Sequence, residues 1–159
     1  MYDRPLKKYT VCLIFNEDGT KVLLQLKNRT LYNGKLNGVG GKIEADETPL
    51  DGAYREIKEE TSLTPDDIPN LRWIATLIPC EQCDDRYSDM YPELFFFAGS
   101  TKNVDKAQKP NSESEAIGWY NIKNDVIDEP ESKLAGDGNL GYIIKLAIRV
   151  LKLKGQRTI

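Results

Sequence analysis

The hydrophobic positions of this chain follow two rhythms. Tyr9-Thr-Val-Cys-Leu-Ile-Phe15 and Lys21-Val-Leu-Leu-Gln-Leu26 are short runs of β-branched, aliphatic and aromatic residues, which mark strands. Asn16-Glu-Asp-Gly-Thr20 between them has the composition of a turn, so the two runs read as a hairpin. Trp73 to Ile78, Leu94 to Ala98 and a short stretch from Ile117 to Tyr120 also read as strands, and Phe95-Phe-Phe97 is apolar enough to expect burial on both faces. Helical spacing appears twice. The first helix starts at Pro49, with Thr48 as its cap and Asp51 completing a near capping box, and runs to about Glu60. The second covers about Tyr142 to Leu153, with Ile143, Leu146, Ala147, Val150 and Leu151 at helical intervals. Thr64-Pro-Asp-Asp67 reads as a short capped turn, and Asn28 to Gly41 and Lys102 to Glu115 as polar loops. The pattern predicts an α/β fold, a mixed sheet between helices, in a single domain over residues 1–159.

Composition narrows the class. A chain of 159 residues, 40% hydrophobic and 30% charged, matches one ordinary globular domain. Its net charge of −3 argues against sequence-independent nucleic-acid binding, which needs a concentrated basic surface. A nucleotide can still bind at one clustered site. No stretch is apolar enough to span a bilayer, and Met1-Tyr-Asp-Arg-Pro-Leu-Lys-Lys8 lacks an apolar signal segment, so a cytoplasmic protein with no membrane partner is expected. Cys80-Glu-Gln-Cys83 is half of a zinc pattern with no second pair, and with Cys12 the cysteines number three, so all are read as reduced thiols. The chain has no histidine, which excludes any mechanism that needs an imidazole base.

The chemistry concentrates in Gly41-Lys-Ile-Glu-Ala-Asp-Glu47-Thr-Pro-Leu-Asp-Gly-Ala-Tyr-Arg55-Glu56-Ile57-Lys-Glu59-Glu60-Thr-Ser-Leu63. Glu56, Glu59 and Glu60 stand at i, i+3 and i+4, which puts their carboxylates on one helix face. Three packed anions repel, and a hard divalent cation is the natural partner, since Mg²⁺ takes carboxylate oxygens and keeps waters for substrate phosphates. Glu47 and Arg55 straddle the helix start, where a charged pair can fix the loop to the helix. A lone Glu-Ile-Lys-Glu-Glu run would read as a solvated acidic face.

The whole segment, however, resembles the Nudix box, G-x5-E-x7-R-E-U-x-E-E-x-G-U, where U is a bulky aliphatic residue. Gly41, Glu47, Arg55, Glu56, Glu59 and Glu60 match its fixed positions, and Ile57 and Leu63 its aliphatic ones. Six fixed matches arise by chance at about 10⁻⁵ over the chain at average residue frequencies, which sets the bland interpretation aside. Ser62 stands where the family has glycine, a substitution that removes no ligand. The resemblance implies a Nudix-type α/β/α sandwich. It also implies that Glu56, Glu59 and Glu60, with Gly41, hold Mg²⁺ (or Mn²⁺), that Arg55 orients Glu47, and that Gly40, Gly41 and Lys42 approach the pyrophosphate. The general base is either Glu56 or a carboxylate from Ser112-Glu-Ser-Glu-Ala-Ile-Gly-Trp119, with Glu115 favoured over Glu113.

Asn37-Gly-Val-Gly-Gly-Lys42 is similar to the lead-in of MutT-type enzymes that hydrolyse oxidised purine nucleoside triphosphates, though Leu36 stands where an aromatic residue is usual. The resemblance implies that Asn37 reads the base, joined by Asp137 or Asn139 before the second helix; Lys27, Arg29 and Tyr32 share the neighbourhood. The expected activity is hydrolysis of a nucleoside triphosphate to monophosphate and pyrophosphate by a monomer or homodimer, with 8-oxo-dGTP or a related purine dNTP favoured. The alternatives are another nucleotide (pyrimidine dNTP, ADP-ribose or a dinucleotide) and a non-catalytic nucleotide-binding module.

Overall fold

A computed structural model describes residues 7–27, 34–78, 92–107, 116–127, 133–136 and 138–154. The strands are β1 (Lys8–Asn16), β2 (Lys21–Leu26), β3 (Leu36–Asn37), β4 (Arg72–Leu77), β5 (Glu93–Thr101) and β6 (Ile117–Asn121). Helix α1 covers Pro49–Thr61 and α2 covers Asn139–Val150. The sheet runs β3-β2-β1-β5-β4, and β6 pairs with β2. It is mixed because β1 and β5 run parallel along their whole length while every other strand pair is antiparallel.

The period-2 alternation of side chains assigns each strand residue to a layer. Val11, Leu13 and Phe15 face one core with Ile143, Ile144, Ala147 and Ile148 of α2. Cys12 and Ile14 face the other with Ala53 and Ile57 of α1. Phe96 and Phe97 divide between the same two cores, so β5 is buried on both sides as its composition requires. Phe95 is only half-buried, its ring 6.0 Å from that of the exposed Trp73. The result is an α/β/α sandwich.

Local chemistry sets the helix limits. Thr48 Oγ1 accepts from Asp51 N at 3.1 Å and Asp51 Oδ2 accepts from Thr48 N at 3.2 Å, a complete capping box. Ser62 closes α1 in the left-handed region at φ 67°. Helix α2 begins at Asn139, earlier than the expected Tyr142, because its first turn follows a left-handed Gly138 and has no side-chain cap to announce it. It ends at Val150 rather than Leu153. Strand β3 lies inside the expected loop; two residues are too few to show periodicity, and pairing with Gln25 and Leu26 defines it. A π-helical turn at Ile122–Ile127 was also not expected; Ile122 and Val126 anchor it in the α2-side core. No helix among the described residues is long and apolar enough to cross a membrane.

Candidate active site

Strand β1 forks, and the fork builds the site. Its C-terminal half pairs with β2, while its N-terminal half takes residues 39–43 as a neighbour. Cys12 N donates to Val39 O at 2.6 Å, Thr10 N to Gly41 O at 2.8 Å, and Ile43 N to Lys8 O at 2.8 Å. Glycine permits this contact. A Cβ at Gly38 would stand 2.7 Å from the Cys12 carbonyl oxygen, and one at Gly40 would overlap the Thr10 carbonyl. The segment before α1 therefore lies flush on the sheet.

Gly41 meets the helix. A Cβ there would enter the Glu56 carboxylate, so its α-carbon and Glu56 form one tight cradle. Gly40 N donates to Glu60 Oε2 at 3.4 Å. Thr10, buried beneath, brings its hydroxyl to 3.4 Å from both Gly41 N and Gly41 O.

Arg55 organises the rest. Its Nε donates to Glu47 Oε2 at 3.0 Å and its Nη2 to Glu47 Oε1 at 2.6 Å, a bidentate pair. Nη2 also donates to the Lys42 carbonyl at 2.8 Å, and Nη1 to Glu56 Oε1 at 2.8 Å and Glu59 Oε2 at 3.4 Å. Glu44 N donates to Glu47 Oε1 at 2.8 Å. One guanidinium thus joins the loop, the helix start and two glutamates of the α1 face.

The charges respond to these partners. Hydrogen bonds from Arg55 and then from Glu44 N hold Glu47 down at about 2. Burial pushes Glu56 up, against the lowering influence of Arg55 and of the Lys27 charge. Burial likewise raises the Cys12 thiol, and the nearby Glu60 and Glu56 charges push it the same way.

Part of the repulsion among the three carboxylates is offset within the chain itself. Arg55 already shares the charge of Glu56 and Glu59, and Glu59 is turned to solvent. Among the described residues no three His, Cys, Asp or Glu side chains close around one point. The donors nevertheless suit a hard cation: all are carboxylate oxygens, and they border the Gly41 cradle that a side chain would fill.

Glu47, Arg55, Glu56, Glu59, Glu60, Gly40, Gly41 and Lys42 are brought to one place. Asn37 stands on β3, half-buried, its Oδ1 accepting from Gly38 N at 2.8 Å. Asn139 is exposed on the first turn of α2; a bridge between Leu36 and Leu134 carries the chain toward it from beside β3. Glu113, Glu115, Asp137, Arg29, Tyr32, Cys80 and Cys83 lie outside the described residues. Two polar groups were missed: Thr10 and Gln25, both 2% exposed. Gln25 had a signal, as the polar member of Val22-Leu-Leu-Gln-Leu26 at a position whose alternation faces inward.

A NUDIX domain model matches residues 5–133. The chain belongs to the Nudix family. Over 67 residues the Nudix chain is 42% identical to the oxidized purine nucleoside triphosphate hydrolase of Mus musculus, a match covering 42% of this chain and 42% of that protein. It is 46% identical over 51 residues to the protein of the same name from Danio rerio, covering 32% and 33%. The chain therefore matches less than half the length of these relatives. Among solved structures, a NUDIX-family hydrolase from Clostridium perfringens superposes with a TM-score of 0.61 at 20% identity, covering 93% of this chain and 99% of that one. A MutT structure described for Aliivibrio salmonicida and Vibrio cholerae gives 0.59 at 19% identity, covering 90% and 96%. These two likenesses concern the fold, the Nudix sandwich. Nudix hydrolases generally use a divalent metal ion and act on nucleotides.

Proposed function

We propose that this Nudix protein is a Mg²⁺-dependent nucleoside triphosphate pyrophosphohydrolase that releases a nucleoside monophosphate and pyrophosphate, with 8-oxo-dGTP or a related purine dNTP as preferred substrate. The observation that carries the proposal is the Gly40–Gly41 segment laid on β1 and against Glu56 and Glu60, with Arg55 fixing both sides. The partial likeness to oxidized purine nucleoside triphosphate hydrolases supports the choice of base. Residues 1–159 act as one domain in this proposal, since α2, beyond the matched segment, supplies Leu140, Ile143, Ile144, Ala147 and Ile148 to one core.

Glu56, Glu59 and Glu60 would hold the cation, with the Gly41 backbone beside it. When bound, the cation neutralises phosphate charge and acidifies a water. The chain's own residues do the rest. Gly40 and Gly41 would leave room for phosphate oxygens at the backbone, and Lys42, the next residue, would supply a positive charge to them. Arg55 keeps Glu56 and Glu47 in place, so little reorganisation is needed when charge develops. Glu56 is one candidate to accept the proton of the attacking water, and Glu115 is the other. Asn37, with Asp137 or Asn139, would read the purine edge through amide and carboxylate groups.

The test is turnover of purified protein on a nucleotide panel with Mg²⁺, scoring pyrophosphate and phosphate separately. Preference for 8-oxo-dGTP with pyrophosphate release bears the proposal out. Activity only on a pyrimidine dNTP, ADP-ribose or a dinucleotide would retain the chemistry and remove the base assignment. No turnover on any nucleotide would favour a binding module.

A further inference from the structure

The net charge of −3 conceals how the charges are distributed. From Asn139 to Ile159 the sequence holds Lys145, Arg149, Lys152, Lys154 and Arg157 and no aspartate or glutamate, so the rest of the chain is the more acidic. The fold turns this composition into a surface. Ile143, Ile144, Ala147 and Ile148 of α2 are buried in the core. Between Tyr142 and Lys154 the exposed residues are Lys145, Arg149 and Lys152 alone. The rise of an α-helix sets Lys145 and Arg149 about 6 Å apart along the axis. Among the described residues, the side chains of these three cations form no hydrogen bond or ion pair.

The row is extended at both ends. Arg72, exposed at the start of β4, donates from Nη2 to Val150 O at 2.8 Å, which brings a fourth cation to the C-terminal end of α2. Tyr142, 67% exposed, stands one turn before Lys145. Lys152 N donates to Arg149 O at 3.2 Å and Leu153 N to Ile148 O at 3.1 Å, the bond pair of a Schellman motif. Lys152 holds its left-handed position at φ 54°, where glycine is usual, so a charge is kept there against a conformational penalty. The helix dipole favours cations in the last turn, but its influence fades before Lys145. Lys154 is set apart, since its charge reaches Asp18.

We propose that this face of α2 docks single-stranded nucleic acid by its phosphodiester backbone, with the Tyr142 ring as a stacking surface for one base. A row of cations complements a row of phosphates, and long flexible side chains follow a strand without reading its sequence. Other polyanions suit the face less well. A bilayer holds a basic helix through apolar side chains that enter it, and those of α2 are buried in the core. A second copy cannot pair here symmetrically, because each cation would meet its like. The inference stands apart from the nucleotide-hydrolase proposal, since no residue of that site takes part in it.

Fluorescence anisotropy of a labelled oligothymidylate tests this without divalent metal, so that no cation bridges phosphate to the acidic face of α1. Binding is expected at low salt, with a slope of about −3 in log K against log salt for four neutralised phosphates. The triple variant Lys145→Gln, Arg149→Gln, Lys152→Gln should bind at least ~10-fold more weakly and bring the slope to about −1, with thermal unfolding unchanged. Tyr142→Ala should weaken binding about 5- to 10-fold at every salt concentration and leave the slope alone. Lys145→Gln by itself should lower the slope by about 0.7, and serves if the triple variant fails to fold. No binding at low salt, a triple variant that binds as before, or displacement of the strand by dGMP would overturn the assignment. Equal or tighter binding of phosphatidylserine vesicles or polyglutamate would overturn it too, giving the face to a membrane or an acidic protein.

Discussion

Arg55 holds Glu47 with two parallel hydrogen bonds, at 3.0 and 2.6 Å, from opposite sides of the loop–helix junction. A lysine cannot reproduce that planar fork or reach the Lys42 carbonyl at the same time. Arg55→Lys is expected to lower kcat by about 10- to 100-fold through misplacement of Glu56. The partly exposed pair contributes only about 1 kcal/mol to stability, a fall in Tm of ~2–4 °C by calorimetry. A fall in Tm without loss of turnover would reduce Arg55 to a structural brace.

The same pair sets an acid dependence. Glu47 titrates at about 2 in the folded protein against an ordinary 4.5. A carboxyl whose pKa is depressed by folding contributes stability that is complete above the unfolded value and is lost as pH falls through the folded one. Thermal stability should therefore decline between pH 4.5 and about 2. In Glu47→Gln that part of the slope should vanish, and scans of both proteins across this range check it.

Adjacent glycines should fail differently. The methyl of Gly40→Ala meets a backbone carbonyl of the central strand, which cannot move, so a loss of about 1–3 kcal/mol in urea unfolding is expected. The methyl of Gly41→Ala meets the end of the Glu56 side chain, which can turn away. That variant should fold normally and lose activity by about 100-fold, because the carboxylate it displaces is the one proposed to hold the cation and to take up the water's proton.

Ser62 occupies a left-handed position at φ 67°, where a Cβ is penalised. Ser62→Gly should stabilise the protein by about 0.5–1 kcal/mol, after the greater unfolded-state freedom of glycine is subtracted. Calorimetry should show Tm higher by ~2–4 °C with unchanged kcat, because Ser62 lies beyond the catalytic face.

Asn37→Ala should raise KM for the preferred purine triphosphate by about 3- to 10-fold and flatten discrimination among bases. Steady-state kinetics on paired purine and pyrimidine substrates decide this. An equal change for both, or none, would remove Asn37 from the base pocket.

Arg55, Glu56, Glu59 and Glu60 were legible because helix geometry is local: residues three and four apart share a face whatever the rest of the chain does. Glu47, which precedes the helix, was legible through the resemblance of the whole segment to the Nudix box. The capping box and the left-handed end of α1 are local for the same reason, since hydrogen bonds within a few residues set them. Sequence by itself therefore determined the acidic helix, its limits, and the strands whose apolar runs are long enough to show a period. Tertiary structure decided everything that depends on partners distant along the chain. Strand β3 exists only because β2 pairs with it, and β1 accepts residues 39–43 only because Gly38 and Gly40 carry no side chain. The reach of Arg55 from Glu47 to Glu59 follows from how loop and helix close together. Such contacts arise from long-range packing, which carries no fixed spacing in sequence.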